Sequence, residues 1–261
     1  MLRPRIIPCL LVHKSGLVKT VRFGAPKYVG DPINAVKIFN EKEVDELVVL
    51  DIDATVRGVE PDYAMIANLA AECRMPLCYG GGVRTVEQAV RIIKLGVEKV
   101  ALSSAAISNP QLVADIARFV GSQSVVVVLD VRKDRKGRYS VWTRNGTHDT
   151  KEEPVALAAE LAKLGAGEVT LNSIDNDGEM KGYNLELARR VRAAVTVPMT
   201  VLGGAGSLRD IQALIAEFGI IGAAAGSLFV FKGVYKAVLI NYPSHADKAT
   251  LLAGQPAGAR T

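Results

Sequence analysis

Five aspartates of this 261-residue chain stand where short apolar runs give way to polar sequence: Asp51 and Asp53 after 46-ELVVLDI-52, Asp130 in 124-SVVVVLDV-131, and Asp175 and Asp177 after 168-EVTLNSI-174. Carboxylates at such places act as general acids or bases when neighbours set their pKa values. Asp130 ends a wholly apolar run, which favours chemistry, whereas Asp51 and Asp175 would serve equally well as helix caps. Gly81-Gly82 and Gly203-Gly204 end two more runs, and Ser103-Ser104 and Gly226-Ser227 end the runs that follow each pair. Paired glycines let backbone amides approach an anion, and hydroxyls at a helix start complete a phosphate cradle. One such pair reads as a tight turn, but two matched sets point to a small molecule carrying a phosphate at each end.

The elements that must position these groups are eight apolar runs of strand length. They are 6-IIPCLLV-12, 46-ELVVLDI-52, 76-PLCYGGG-82, 98-EKVALSS-104, 124-SVVVVLDV-131, 168-EVTLNSI-174, 198-PMTVLGG-204 and 220-IIGAAAGS-227. Amphipathic stretches separate them. Asp31-Pro32, Thr85 with Gln88, and Ser207 with Asp210 mark helix starts, and Gly96, Gly121 and Gly219 mark helix ends. Strand and helix alternating eight times predict an α/β fold, a (β/α)8 TIM barrel, as one domain over 1–244. In such barrels the site lies at the C-terminal ends of the strands, often with phosphate after the last two. ELVVLDID returns as EVTLNSID, PLCYGGGV as PMTVLGGA and GVEKVALSS as GIIGAAAGS, at offsets of 122 to 123 residues. The barrel is therefore expected to contain a two-fold half-barrel repeat, in which Leu11 takes the place that Asp130 holds in the second half.

Arg5, Glu46, Lys99 and Glu168 each lie near the start of a run, at the opposite rim. Two cations and two anions there make a neutral plug, and the residues alone suggest only that it closes the barrel bottom. His13, His148 and His245 are far apart in sequence without neighbours at ligand spacing, so no metal is expected; nothing calls for a cofactor. Cys9, Cys73 and Cys78 are read as reduced core thiols. The segment 132–150 predicts a β-hairpin turning at Lys136-Gly137, able to cover the rim. After Pro243 the sequence is rich in small residues, and 245–261 is expected to be a flexible tail.

A net charge of +5 with scattered Lys and Arg and only 5% aromatics argues against nucleic-acid binding and fits phosphorylated small molecules or an acidic partner. The apolar runs are too short to span a bilayer, and the N-terminus lacks signal-peptide features, so no membrane association and a cytoplasmic location are expected.

Taken together, RIIPCL, GDP, DELVVLDIDA, YGGGVRT, GSQSVVVVLD, GAGEVTLNSIDNDG and GGAGS resemble the cyclase subunit of imidazole glycerol phosphate synthase over about residues 1 to 240. The resemblance implies a ribulosyl aminoimidazole nucleotide with two phosphates as substrate and a glutaminase subunit docked at the barrel bottom. It also implies ammonia passing a charged gate at Arg5, Glu46, Lys99 and Glu168. An apolar interior passes neutral ammonia and excludes ammonium. Asp130 matches one of the family's two catalytic aspartates and Lys19 its loop lysine, but Leu11 replaces the other aspartate. Ser103, Asn172 and Asp53 stand where the family usually has Asn, Thr and Thr, and Asp53 is a candidate relocated acid. The pattern is similar to a divergent branch found with bacterial O-antigen genes, which implies ammonia supply to a sugar amidotransferase in lipopolysaccharide synthesis. The alternative is an active cyclase of histidine biosynthesis, forming imidazole glycerol phosphate and aminoimidazole carboxamide ribonucleotide. A sister phosphosugar isomerase would need an acid on the first strand and has no use for the gate.

Overall fold

A computed structural model describes residues 3–233 and 235–253. Eight parallel strands form the barrel: β1 Arg5–His13, β2 Leu47–Asp51, β3 Leu77–Gly80, β4 Lys99–Leu102, β5 Val125–Lys133, β6 Glu168–Ser173, β7 Met199–Leu202 and β8 Gly222–Ala225. Each pairs with the next, and β8 returns to β1 with Arg5 opposite Gly222 and Pro8 opposite Ala225, so the sheet has no free edge. The expected TIM barrel is the observed one.

Strand alternation divides the apolar residues into two shells. Ile6, Leu10 and Val12 face outward under the helices, in one core with Val49, Tyr79 and Val127. Ile7, Cys9 and Ala224 face inward with Leu202, and Leu11 and Leu50 pack against them. Cys78, Ala101, Val126 and Val128 fill the rest of the interior. Cys9, Cys73 and Cys78 are free thiols, and burial pushes the Cys9 thiol up to about 11.

Thr85 with Gln88 and Ser207 with Asp210 form full capping boxes, and Asp31 accepts from the Asn34 amide. The half-barrel repeat extends to the loops. β5 carries the expected hairpin: it pairs with Tyr139–Thr143, which pairs with His148–Asp149. β1 carries a corresponding one, Gly16–Lys19 against β1 and Lys27–Gly30 beyond it, with Leu11 opposite Val18. Sequence reading missed this hairpin because four-residue strands give too little alternation to register.

The loose tail expected from residue 245 is corrected over His245–Ala253, which form a helix. Ser244 Oγ accepts from the Asp247 amide at 3.2 Å, and Leu251 is buried in the main core. Lys248 reaches Asp45 at 3.1 Å, and Tyr242 Oη donates to the Ile6 carbonyl, so this segment lies at the barrel bottom. Residues 254–261 of the expected tail lie outside the described residues. Among the described residues no helix is long and apolar enough to cross a membrane.

Candidate functional site

A cavity of about 330 Å³ opens at the C-terminal ends of the strands. Most of the singled-out residues border it: Lys19, Asp51, Asp53, Asp130, Asn172 and Asp177, together with Leu11 and the turn residues Gly81, Gly82, Ser103, Ser104, Gly226 and Ser227. Gly203 and Gly204 are not among its lining residues. A Cβ on Gly203 would lie 2.6 Å from the Ser173 carbonyl oxygen, and one on Gly204 would lie 2.1 Å from that of Gly182, so close backbone packing explains both glycines. Asp175 also turns elsewhere, its carboxylate accepting the Lys133 amide at 2.8 Å at the hairpin base.

Asp130 lies near the C-terminal end of β5, and burial raises its carboxyl to about 7, although Asn172 Nδ2 donates to it at 2.8 Å. Such a group holds or releases a proton near neutrality, as an acid–base catalyst must. Lys19 is brought in by the β1 hairpin. Its Nζ donates to the Cys9 carbonyl at 2.5 Å, and a Cβ on Gly226 would touch it at 2.6 Å. Burial lowers the Lys19 pKa, partly opposed by Asp177. Burial raises that of Asp177, opposed by Lys19 and by Thr20, which donates at 3.1 Å. Among the described residues, buried Ser103 Oγ and Asn172 Oδ1 lack hydrogen-bond partners, and both residues border the cavity. Each can take up a ligand without breaking a protein contact.

The first strand offers no acid at Leu11, which sits between Leu50 and Val18. Asp51 caps the following turn, accepting from the Asp53 and Ala54 amides at 2.8 and 3.2 Å. Asp53 is held at both oxygens: Oδ1 lies 2.7 Å from His13 Nδ1, and Oδ2 accepts the Lys14 amide at 2.8 Å. Burial alone would raise its pKa, but these two contacts hold it below the ordinary value. The β5 hairpin leans across the mouth. Arg144 and Asn145 border the cavity, and Asn145 Nδ2 donates to the Ile52 carbonyl at 2.7 Å.

At the other end, Arg5 pairs with Glu46 and, at 2.7 Å, with Glu168. Lys99 pairs with the same two carboxylates at 2.8 and 2.9 Å, closing a ring of four charges. Thr200 Oγ1 donates to Glu168 at 2.5 Å as a fifth member. Burial would raise the Glu168 carboxyl, but Arg5 and Lys99 hold it down to about 2. Above the ring lies a small cavity of about 20 Å³, and Cys9, Leu50, Ala101, Val128 and Leu202 border both it and the upper cavity. The interior between ring and mouth is thus apolar and narrow.

A family model described as Histidine biosynthesis protein matches residues 5–236. The chain belongs to that family. Within it, the chain is 57% identical over 252 residues to a Leptospira borgpetersenii protein named "Putative imidazole glycerol phosphate synthase subunit HisF", covering 96% of this chain and 99% of that one. It is 58% identical to the Vibrio vulnificus "Putative imidazole glycerol phosphate synthase subunit hisF3" over 97% of each chain. It is 42% identical to the Alkaliphilus metalliredigens imidazole glycerol phosphate synthase subunit HisF, over 90% of this chain and 93% of that one.

In this HisF-like barrel, sequence reasoning missed Thr200, which pairs with Thr170 in the β6–β7 register and reaches Glu168 through its hydroxyl, and His13, whose partner Asp53 is 40 residues away. A signal for Thr200 existed in Gly222, where a Cβ would lie 1.9 Å from Thr200 Oγ1. The glycine makes room for the hydroxyl.

Proposed function

We propose that this HisF-like barrel receives ammonia from a glutaminase subunit at its lower rim and passes it upward, with its own cyclase chemistry weakened by Leu11. The observation that carries this reading is the contrast between the two ends. The lower ring of Arg5, Glu46, Lys99 and Glu168 is complete and satisfied, while β1 has a leucine where its half-barrel counterpart β5 has Asp130. An apolar interior favours neutral ammonia over ammonium. Loss of a positioned acid or base costs about 10²- to 10⁴-fold in rate. The ammonia then serves a sugar amidotransferase of O-antigen synthesis, since a delivery subunit needs its dock and ring but not its cyclase acid.

The second reading, an active cyclase of histidine biosynthesis, is favoured by Asp130 poised at about 7 with Lys19 and Asp177 beside the same cavity. Supplying ammonium salt and the ribulosyl nucleotide separates the two. Under the first reading, Leu11→Asp turns the nucleotide over at least about 10²-fold faster than the native chain. Equal, rapid turnover by both proteins would make this an ordinary cyclase.

A further inference from the structure

Residues Ile7, Cys9, Leu11 and His13 alternate along β1, so His13 shares the inward face of Leu11, two residues nearer the mouth. That is about 6.7 Å along the strand. His13, Leu11 and Asp53 border the same cavity as Asp130 and Lys19. Asp53, held below the ordinary carboxylate pKa, is ionised near neutrality and can only accept; the hydrogen of its 2.7 Å contact therefore sits on His13 Nδ1. The Lys14 amide fixes the other Asp53 oxygen, so the carboxylate cannot turn away from the ring. What remains is an imidazole in one tautomer, its Nε2 without a protein partner among the described residues, at the edge of a cavity whose first strand lacks an acid.

We propose that His13, oriented by Asp53, is a second proton-transfer residue of this cavity beside Asp130, taking over from the missing acid at Leu11 at a point nearer the mouth. Asp53 is then a positioning residue and not itself the relocated acid. The proposal rests on the cavity binding a phosphate-bearing substrate with a carbonyl carbon, as in the reading above. As ammonia adds to that carbon, a C–N bond forms and the carbonyl π pair moves to oxygen. Nε2 relays one proton from the nitrogen to that oxygen, giving the carbinolamine, and then a second from the nitrogen to the hydroxyl, which leaves as water as the nitrogen lone pair forms the C=N bond. Every proton and electron pair is then accounted for without an oxidant or a further co-reactant. Imidazole suits both halves, because Nε2 alternates between acceptor and donor while Asp53 supports the cation.

The test measures turnover of the ribulosyl nucleotide with ammonium salt by the full chain, alongside nucleotide binding by calorimetry. The native chain should show slow turnover, with His13→Ala and His13→Gln lowering kcat by about 10²-fold or more and leaving binding intact. Gln can still donate to Asp53, so its failure would reflect lost proton transfer and not lost packing. Asp53→Asn should lower kcat without raising KM, and imidazole ¹⁵N shifts should show His13 leaving the single Nδ1–H tautomer. Native turnover that is undetectable, or unchanged by both His13 variants while the nucleotide still binds, would overturn the proposal and leave the reading of the cavity standing. If the nucleotide does not bind at all, both fall.

Discussion

Asp130 holds a proton in the folded chain over a range where the unfolded chain has already released it. Its folded pKa of about 7 lies above the ordinary 3.8, so stability declines as pH rises from about 4 to 7 and the cost is constant above that. Replacing Asp130 by Asn, which can still accept from Asn172, should therefore raise stability at pH 8 while removing the proton transfer that this carboxyl itself performs. The gain should be on the order of 2 kcal/mol once water in the cavity is allowed for, vanishing near pH 4. Thermal melts of both proteins at the two pH values check this; an equal shift at both would mean the gain has another cause. At the other end, Gly222→Ala should push Thr200 away from Glu168 and cost about 1–3 kcal/mol. Denaturant unfolding measures that loss, and Gly222→Ala with Thr200→Ala should recover part of it.

The barrel strands were legible as elements because buried parallel strands read as unbroken apolar runs, and the helices because Thr85, Ser207 and Asp31 cap them through their own side chains. The β1 hairpin was not, since Gly16–Lys19 and Lys27–Gly30 are held by tertiary pairing and not by local pattern. The helix at His245–Ala253 was obscured by small residues. Ser244 and Asp247 supply its start, and Leu251 its anchor. Ser244→Ala should therefore cost about 1 kcal/mol of local stability, read as faster amide exchange within that helix and little change in the strands. Exchange that quickened equally through the barrel would show that this helix is part of the global folding unit.

At the scale of the molecule, the sequence repeat locates the gap at Leu11, and the four charges at strand starts locate the lower ring. What pairs with what was not legible. The Arg5–Glu46–Lys99–Glu168 ring and the His13–Asp53 pair join residues 40 to 163 apart, and only the closed barrel brings them together. The lower rim also exposes Phe119, 73% accessible at the end of the helix preceding β5, and Ile220, 43% accessible just before β8. Exposed large side chains beside a charged rim suit a protein partner. Phe119→Asp should weaken glutaminase binding at least about tenfold in calorimetry, while the melting curve of the isolated barrel stays in place.

The proposed passage of ammonia from the lower ring to the upper cavity can be tested directly. In the Leu11→Asp barrel bound to a glutaminase subunit, nucleotide turnover can be driven either by glutamine or by free ammonium salt. Ala224→Phe fills the interior between the two ends, where Ala224 borders the small cavity above the ring. If ammonia passes through the barrel, this substitution abolishes glutamine-driven turnover and leaves ammonium-driven turnover largely intact. Equal loss of both, or loss of neither, would contradict passage through the barrel.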